Sequence, residues 1–104
     1  MIEVNESNYE EVVLGSDQPF LLDFSATWCS PCQQLKPILE ELAADLEGKA
    51  RVGVVDVDQA QGLAQKHSVT SVPTMILFHG GEVKERMLGL QPKNAIAASI
   101  KALG

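Results

Sequence analysis

Apolar positions recur in two rhythms along this chain, every second residue in some stretches and every third or fourth in others, and each rhythm predicts an element. Ile2 to Val4 reads as a short edge strand. Ser7 followed by Glu10 reads as a capping box, and Tyr9, Val12 and Val13 then form a short apolar stripe that Gly15 stops. Phe20 to Phe24 is nearly continuous in apolar residues, as suits a central strand covered on both faces. Residues 30 to 46 carry the strongest helical signal: Leu35, Leu39, Leu42 and Leu46 share one face, and Gly48 follows the end. Pro37 lies inside this stretch, where its missing N–H should kink the helix. Arg51 to Val57 is β-rich. Gln59 to His67 reads as a short helix weakened by Gly62. Thr74 to Phe78 is another apolar strand, Gly80-Gly81 a hairpin turn, and Glu82 to Leu88 its returning partner. Pro92 opens a last helix with Ile96, Ile100 and Leu103 on its apolar face.

The element order is βαβαβα followed by ββα. The first part calls for parallel strands with crossover helices, and the hairpin adds an antiparallel edge. The expected fold class is therefore α/β: a mixed sheet of about five strands, flanked by four helices. Residues 1–104 are read as a single domain, without repeat, linker or low-complexity tract.

Composition narrows the functional classes. Apolar residues are 45% and charged residues 21%, which excludes a disordered tail, a fibre and a membrane bundle. The net charge of −6 would repel phosphate backbones, so no nucleic-acid partner is expected. The apolar runs are far shorter than the roughly 20 residues a bilayer requires, so no membrane partner is expected either. The N-terminal Met-Ile-Glu-Val-Asn-Glu does not read as a secretory signal. The expectation is a soluble, cytoplasmic monomer, in a compartment where thiols are kept reduced.

Both cysteines fall within Trp28-Cys29-Ser30-Pro31-Cys32. The motif follows a buried strand and opens the strongest helix. Cys29 thus lies at a helix N-terminus, where free N–H groups and the dipole favour a thiolate. Cys32, three residues on, is within reach of it, and Pro31 falls where a missing N–H is harmless. A structural staple is a weak alternative, because closing so short a loop gains only about 2 kcal/mol. A zinc knuckle needs two more ligands, and the spacing of His67 and His79 fits no common pattern. Dithiol chemistry is the reading that remains.

With these residues in place, the chain resembles the thioredoxin family over its full length. The resemblance rests on Asp23-Phe24, Ala26, the Trp28-Cys29-x-Pro31-Cys32 motif, Pro37, Asp58, Val72-Pro73-Thr74, Gly81 and Gly89. It implies the thioredoxin fold and a protein-disulfide reductase. Cys29 would attack a substrate disulfide and Cys32 would resolve the mixed disulfide. No cofactor or metal would be bound. The redox-active Cys29–Cys32 disulfide would be recharged by a flavin-dependent thioredoxin reductase using NADPH, and the other partners would be disulfide-containing proteins.

Asp23 is the candidate proton acceptor for Cys32. An acid in an apolar central strand is costly to bury, and burial raises its pKa toward neutrality; a wet, inert carboxylate at a strand end is the alternative. The resemblance gives Pro73 a cis peptide bond beside the cysteines, leaving the backbone of Val72 open to an extended substrate segment. Without the resemblance, Pro73 would read as an ordinary strand-start proline. Ser30, Pro31 and Pro73 are the redox-tuning candidates. Trp28, Val57, Val72 and Gly89 are the candidates for an apolar substrate patch beside an exposed thiol. His67 and His79 read as ordinary surface or helix-end residues, and Tyr9 as core.

Four positions depart from the family pattern. Ser30 replaces a glycine. Val54 replaces a lysine near the buried aspartate, which should push the Asp23 pKa further up. Gln33 replaces a lysine after the second cysteine, and Ser25 an aromatic. The competing functions are a disulfide oxidase or isomerase on the same fold, a binding subunit, and a metal or iron–sulfur carrier. The residue at position 30 is not histidine, which favours a reducing potential.

Overall fold

The computed structural model describes residues 1–103. Five strands form one mixed sheet: β1 (Ile2–Glu3), β2 (Phe20–Ser25), β3 (Arg51–Asp56), β4 (Thr74–His79) and β5 (Glu82–Leu88). Their spatial order is β1-β3-β2-β4-β5. β1 and β2 run parallel to β3, while β4 is antiparallel to both β2 and β5. Three α-helices cover the faces: α1 (Ser30–Asp45), α2 (Gln61–Lys66) and α3 (Lys93–Lys101). The expected mixed α/β sheet of the thioredoxin fold is the one observed.

β2 is the centre, as its unbroken apolar run requires. Alternate residues face opposite sides. Leu21 packs with Leu35, Leu39 and Leu42 of α1, and with Ile96 and Ile100 of α3. Phe20, Leu22 and Phe24 face the other side, with Tyr9, Val13, Leu63 and Phe78. Asp23 shares the parity of Leu21 and so faces α1. The hairpin forms at Gly80-Gly81, where both residues take positive φ, 62° and 80°. A two-residue turn of that hand matches the twist of its strands, and glycine adopts it without steric cost.

The fourth helix is a single π-helical turn, Glu10–Leu14, closed by Gly15 N–H donating to Glu10 O at 2.9 Å. The Ser7–Glu10 capping box does not form. Asn5 Oδ1 accepts from the N–H groups of Ser7 and Asn8 at 2.9 Å, and from the Ser7 hydroxyl at 2.6 Å. The reciprocal pair forms two residues earlier, between Asn5 and Asn8: Asn8 Oδ1 accepts the Asn5 N–H at 2.8 Å while Asn5 Oδ1 takes that of Asn8. Other bounds shift slightly: β3 ends at Asp56, α2 keeps only six residues, and α1 runs through Pro37 as one helix.

Candidate active site

The chain leaves β2 at Ser25 and turns through Ala26 to Trp28, with Cys29 N–H donating to Ala26 O at 3.3 Å. Cys29 is then the N-cap of α1, with extended backbone (φ −96°, ψ 112°). Its sulfur accepts the N–H of Cys32 at 3.2 Å. A helix N-terminus leaves such donors unpaired, and here one points at the sulfur that would carry charge. Ser30 and Pro31 are the exposed first residues of the helix.

Cys29 and Cys32 are joined by a disulfide, with Cα atoms 5.2 Å apart. Both residues are buried, Cys29 5% exposed and Cys32 2%. The expectation of an exposed thiol at Cys29 needs this correction: Val57 and Val72 pack against the pair and Ala26, and cover it. The two sulfurs differ in what surrounds them. Cys29 Sγ lies 3.7 Å from the Val72 carbonyl oxygen. Cys32 lines a half-open cavity of about 400 Å³ together with Asp23, Val54, Gln33, Lys36 and Asp56.

Asp23 is 2% exposed, and its Oδ1 has no hydrogen-bond partner. Desolvation raises its pKa from 3.8 to about 7. Across the ladder from it stands Val54, which offers neither charge nor hydrogen bond. The carboxyl is therefore uncompensated, and it shares its cavity with Cys32.

Val72–Pro73 is a cis peptide bond, as the resemblance implied. Pro73 O accepts from Gly89 N–H at 2.9 Å, which sets Gly89 beside the loop that bears Val72. Gly89 has φ 77°, a conformation open to glycine. The structure thus gathers Cys29, Cys32, Val57 and Val72 into one cluster, and joins Gly89 to it through Pro73. Trp28 is 69% exposed. It is tethered all the same: its indole N–H donates to Asp58 Oδ2 at 2.8 Å, and Asp58 N–H donates to Asp56 Oδ1 at 2.9 Å.

Two features had little signal in the sequence. Asp58 is one of the residues that carry the resemblance, but nothing in its neighbourhood names a tryptophan thirty residues away as its partner. His67, read as an ordinary surface or helix-end residue, is half-buried. Its Nε2 lies 2.6 Å from the Tyr9 hydroxyl, and its ring meets Tyr9, Phe24 and Phe78 edge-on. Burial, then the charges of Lys66 and Arg86, lower its pKa below 6.5. Among the described residues no cluster of three or more His, Cys, Asp or Glu is placed to hold a metal ion, and no helix is long and apolar enough to cross a membrane.

The family model for thioredoxin matches residues 1–102. The chain is 42% identical over 98 residues to thioredoxin from Chlorobaculum thiosulfatiphilum, covering 94% of this chain and 91% of that protein. It is 44% identical over 93 residues to thioredoxin from Rickettsia bellii, 89% of each chain. It is 39% identical over 99 residues to the chloroplastic M-type thioredoxin of Spinacia oleracea, 95% of this chain and 55% of that protein.

Proposed function

The chain belongs to the thioredoxin family, and from that premise we propose how its residues divide the work of reducing a protein disulfide. Thioredoxins are thiol-disulfide oxidoreductases, and this chain is a protein-disulfide reductase whose redox centre is the Cys29–Cys32 pair rather than a bound cofactor. Its substrates are disulfide-containing proteins, and a reductase recharges it.

Cys29 is the attacking thiolate. It displaces one sulfur of the substrate disulfide as a thiolate and joins the other, forming a mixed disulfide. Cys32 then loses its proton to Asp23, and its thiolate attacks Cys29 Sγ. The Cys29–Cys32 bond forms, the mixed disulfide breaks, and the second substrate sulfur leaves as a thiolate. Two electrons pass to the substrate. The observation that carries this division is the contrast between the sulfurs: Cys29 takes a helix N–H and faces the Val72 loop, while Cys32 shares a cavity with an unpartnered acid. A group titrating near neutrality accepts a proton and returns it within one cycle. The cavity has room for water to bridge carboxyl and thiol.

The remaining assignments follow the same reading. Trp28, Val57, Val72 and Gly89 form the face on which a substrate segment docks. Ser30, Pro31 and Pro73 tune the dithiol. Residues 1–104 act as one domain and a monomer. The reductase is a flavin-dependent thioredoxin reductase that draws on NADPH, and the compartment is the cytoplasm. Equilibration with glutathione redox buffers tests the direction of electron flow. Reductants of this type lie near −270 mV and isomerases near −180 mV, a gap of roughly 4 kcal/mol. A midpoint near the lower value is expected; one near the higher value makes the chain an isomerase or oxidase.

A further inference from the structure

The loop between α2 and β4, residues 67–73, brings the Val72 carbonyl to the reactive sulfur. Its downstream end is fixed close to the site, because Gly89 N–H holds Pro73 O and the Thr74 hydroxyl donates to Ser71 O at 2.7 Å. Thr70 and Ser71 are exposed. The upstream end is closed by the backbone of α2, with Ser68 N–H on Gln65 O at 3.1 Å and Val69 N–H on Ala64 O at 2.8 Å, and side chains hold that closure in place.

That end is His67–Ser68. Ser68 has φ 54°, a left-handed conformation that a non-glycine residue adopts only where its surroundings hold it. The ring of His67 is held by Tyr9, Phe24 and Phe78, as described. Its backbone is held from a different direction. Arg86, on the exposed edge strand β5, donates from Nη1 to His67 O and from Nη2 to Ser68 O, the latter at 3.4 Å. Among the described residues Arg86 makes no ion pair, although Glu85 is its chain neighbour. A planar fork with two outward N–H groups suits two successive carbonyls at a helix end, where a cation is also favoured by the dipole. His67 is thus the point at which β2, β4, β5 and the segment bearing Tyr9 all grip the start of the loop.

We propose that Arg86 is a positioning residue for substrate docking: with His67 it fixes where the loop leaves α2, and so where the Val72 carbonyl stands when a substrate segment arrives. The proposal rests on the docking role given to Val72 above. A role confined to capping α2 would change stability alone, whereas a positioning role changes how tightly a protein substrate is held.

The test uses the pre-reduced full chain in single-turnover reactions with insulin. The insulin dependence of the rate separates half-saturation from the limiting rate. A small aromatic disulfide, 5,5′-dithiobis(2-nitrobenzoate), reports Cys29 reactivity without docking. Arg86→Met should raise the half-saturating insulin concentration about fivefold, the worth of roughly one hydrogen bond, with the limiting rate and the small-disulfide rate within about twofold of the parent. Arg86→Lys, which reaches one carbonyl, should recover most of that loss and leave about a twofold effect. A folded Arg86→Met protein with the parent's half-saturation, or one equally slow on both disulfides, overturns the proposal. If Arg86→Met does not fold, Arg86→Lys decides: half-saturation equal to the parent's overturns the proposal. Val72→Asp separates the two levels. An increase in its half-saturation supports the docking role on its own; no change removes that role, and the proposal with it.

Discussion

The two faces of the central strand each draw an ionisable side chain out of water, Asp23 fully and His67 by half, and the two are treated in opposite ways. On the α1 face, Asp23 has a carboxyl oxygen with no partner. On the other face, His67 has its ring nitrogen on the Tyr9 hydroxyl and its carbonyl on Arg86. Desolvation is the largest cause of both pKa shifts, upward for the acid and downward for the base. What differs is compensation. A buried polar group left unsatisfied is destabilising and is kept only where it serves a purpose, and the unsatisfied one shares a cavity with a cysteine. The satisfied one supports a loop. The comparison teaches where the fold sacrifices stability and where it gains it.

Substitution breaks the comparison most sharply. Asp23→Asn should slow resolution of the mixed disulfide by about 100-fold or more at pH 7, the usual reach of a positioned base. The same protein should be more stable than the parent at pH 8. Between 3.8 and about 7, at 1.36 kcal/mol per pH unit, the ceiling on that gain is about 4 kcal/mol. Rapid-quench kinetics and urea unfolding read the two effects. A resolving rate that does not change between pH 6 and 8 in the parent would remove Asp23 from the mechanism.

The pH dependence of stability sharpens the contrast. Asp23 holds its proton in the folded state at pH values where the unfolded chain has released it. Its contribution is complete below about pH 3.8 and is lost as pH rises through about 7. His67 has the opposite sign. Its folded pKa is lowered, so the unfolded chain binds the proton first. Its contribution is complete above about 6.5 and is lost as pH falls through the folded value. Urea midpoints measured against pH should therefore lose the alkaline decline in Asp23→Asn, and lose part of the acid decline in His67→Gln.

Smaller effects follow from the satisfied side. Tyr9→Phe removes the partner of the His67 ring and should cost about 1 kcal/mol in urea unfolding, with the resolving rate unchanged. Asp58→Ala frees the exposed Trp28 indole and should alter half-saturation by protein substrates only about twofold, since an exposed hydrogen bond contributes little.

The same contrast explains what could be read in the sequence. Asp23 was legible because one acid interrupts an apolar run, and the dithiol because its spacing and its place at a helix start agree. The hairpin was legible because two glycines allow one turn. His67 was not, since its partners Tyr9, Phe24, Phe78 and Arg86 lie 58, 43, 11 and 19 positions away and meet only when the sheet forms. The tether from Trp28 to Asp58 was hidden for the same reason. The Ser7 cap failed on competition: Asn5 and Asn8 cap each other's backbone N–H groups and start the turn two residues earlier. Local patterns announced elements and the acid that disturbs one; long-range hydrogen bonds left no local mark.

The division of labour between the two sulfurs is tested most directly by trapping. Cys32→Ser and Cys29→Ser proteins, each reduced and mixed with a disulfide-bearing protein, are quenched in acid and weighed intact by mass spectrometry. Cys32→Ser should accumulate a conjugate through Cys29, while Cys29→Ser should accumulate none and turn nothing over. A stable conjugate through Cys32 in the Cys29→Ser protein, or substrate reduction by it, would contradict the account.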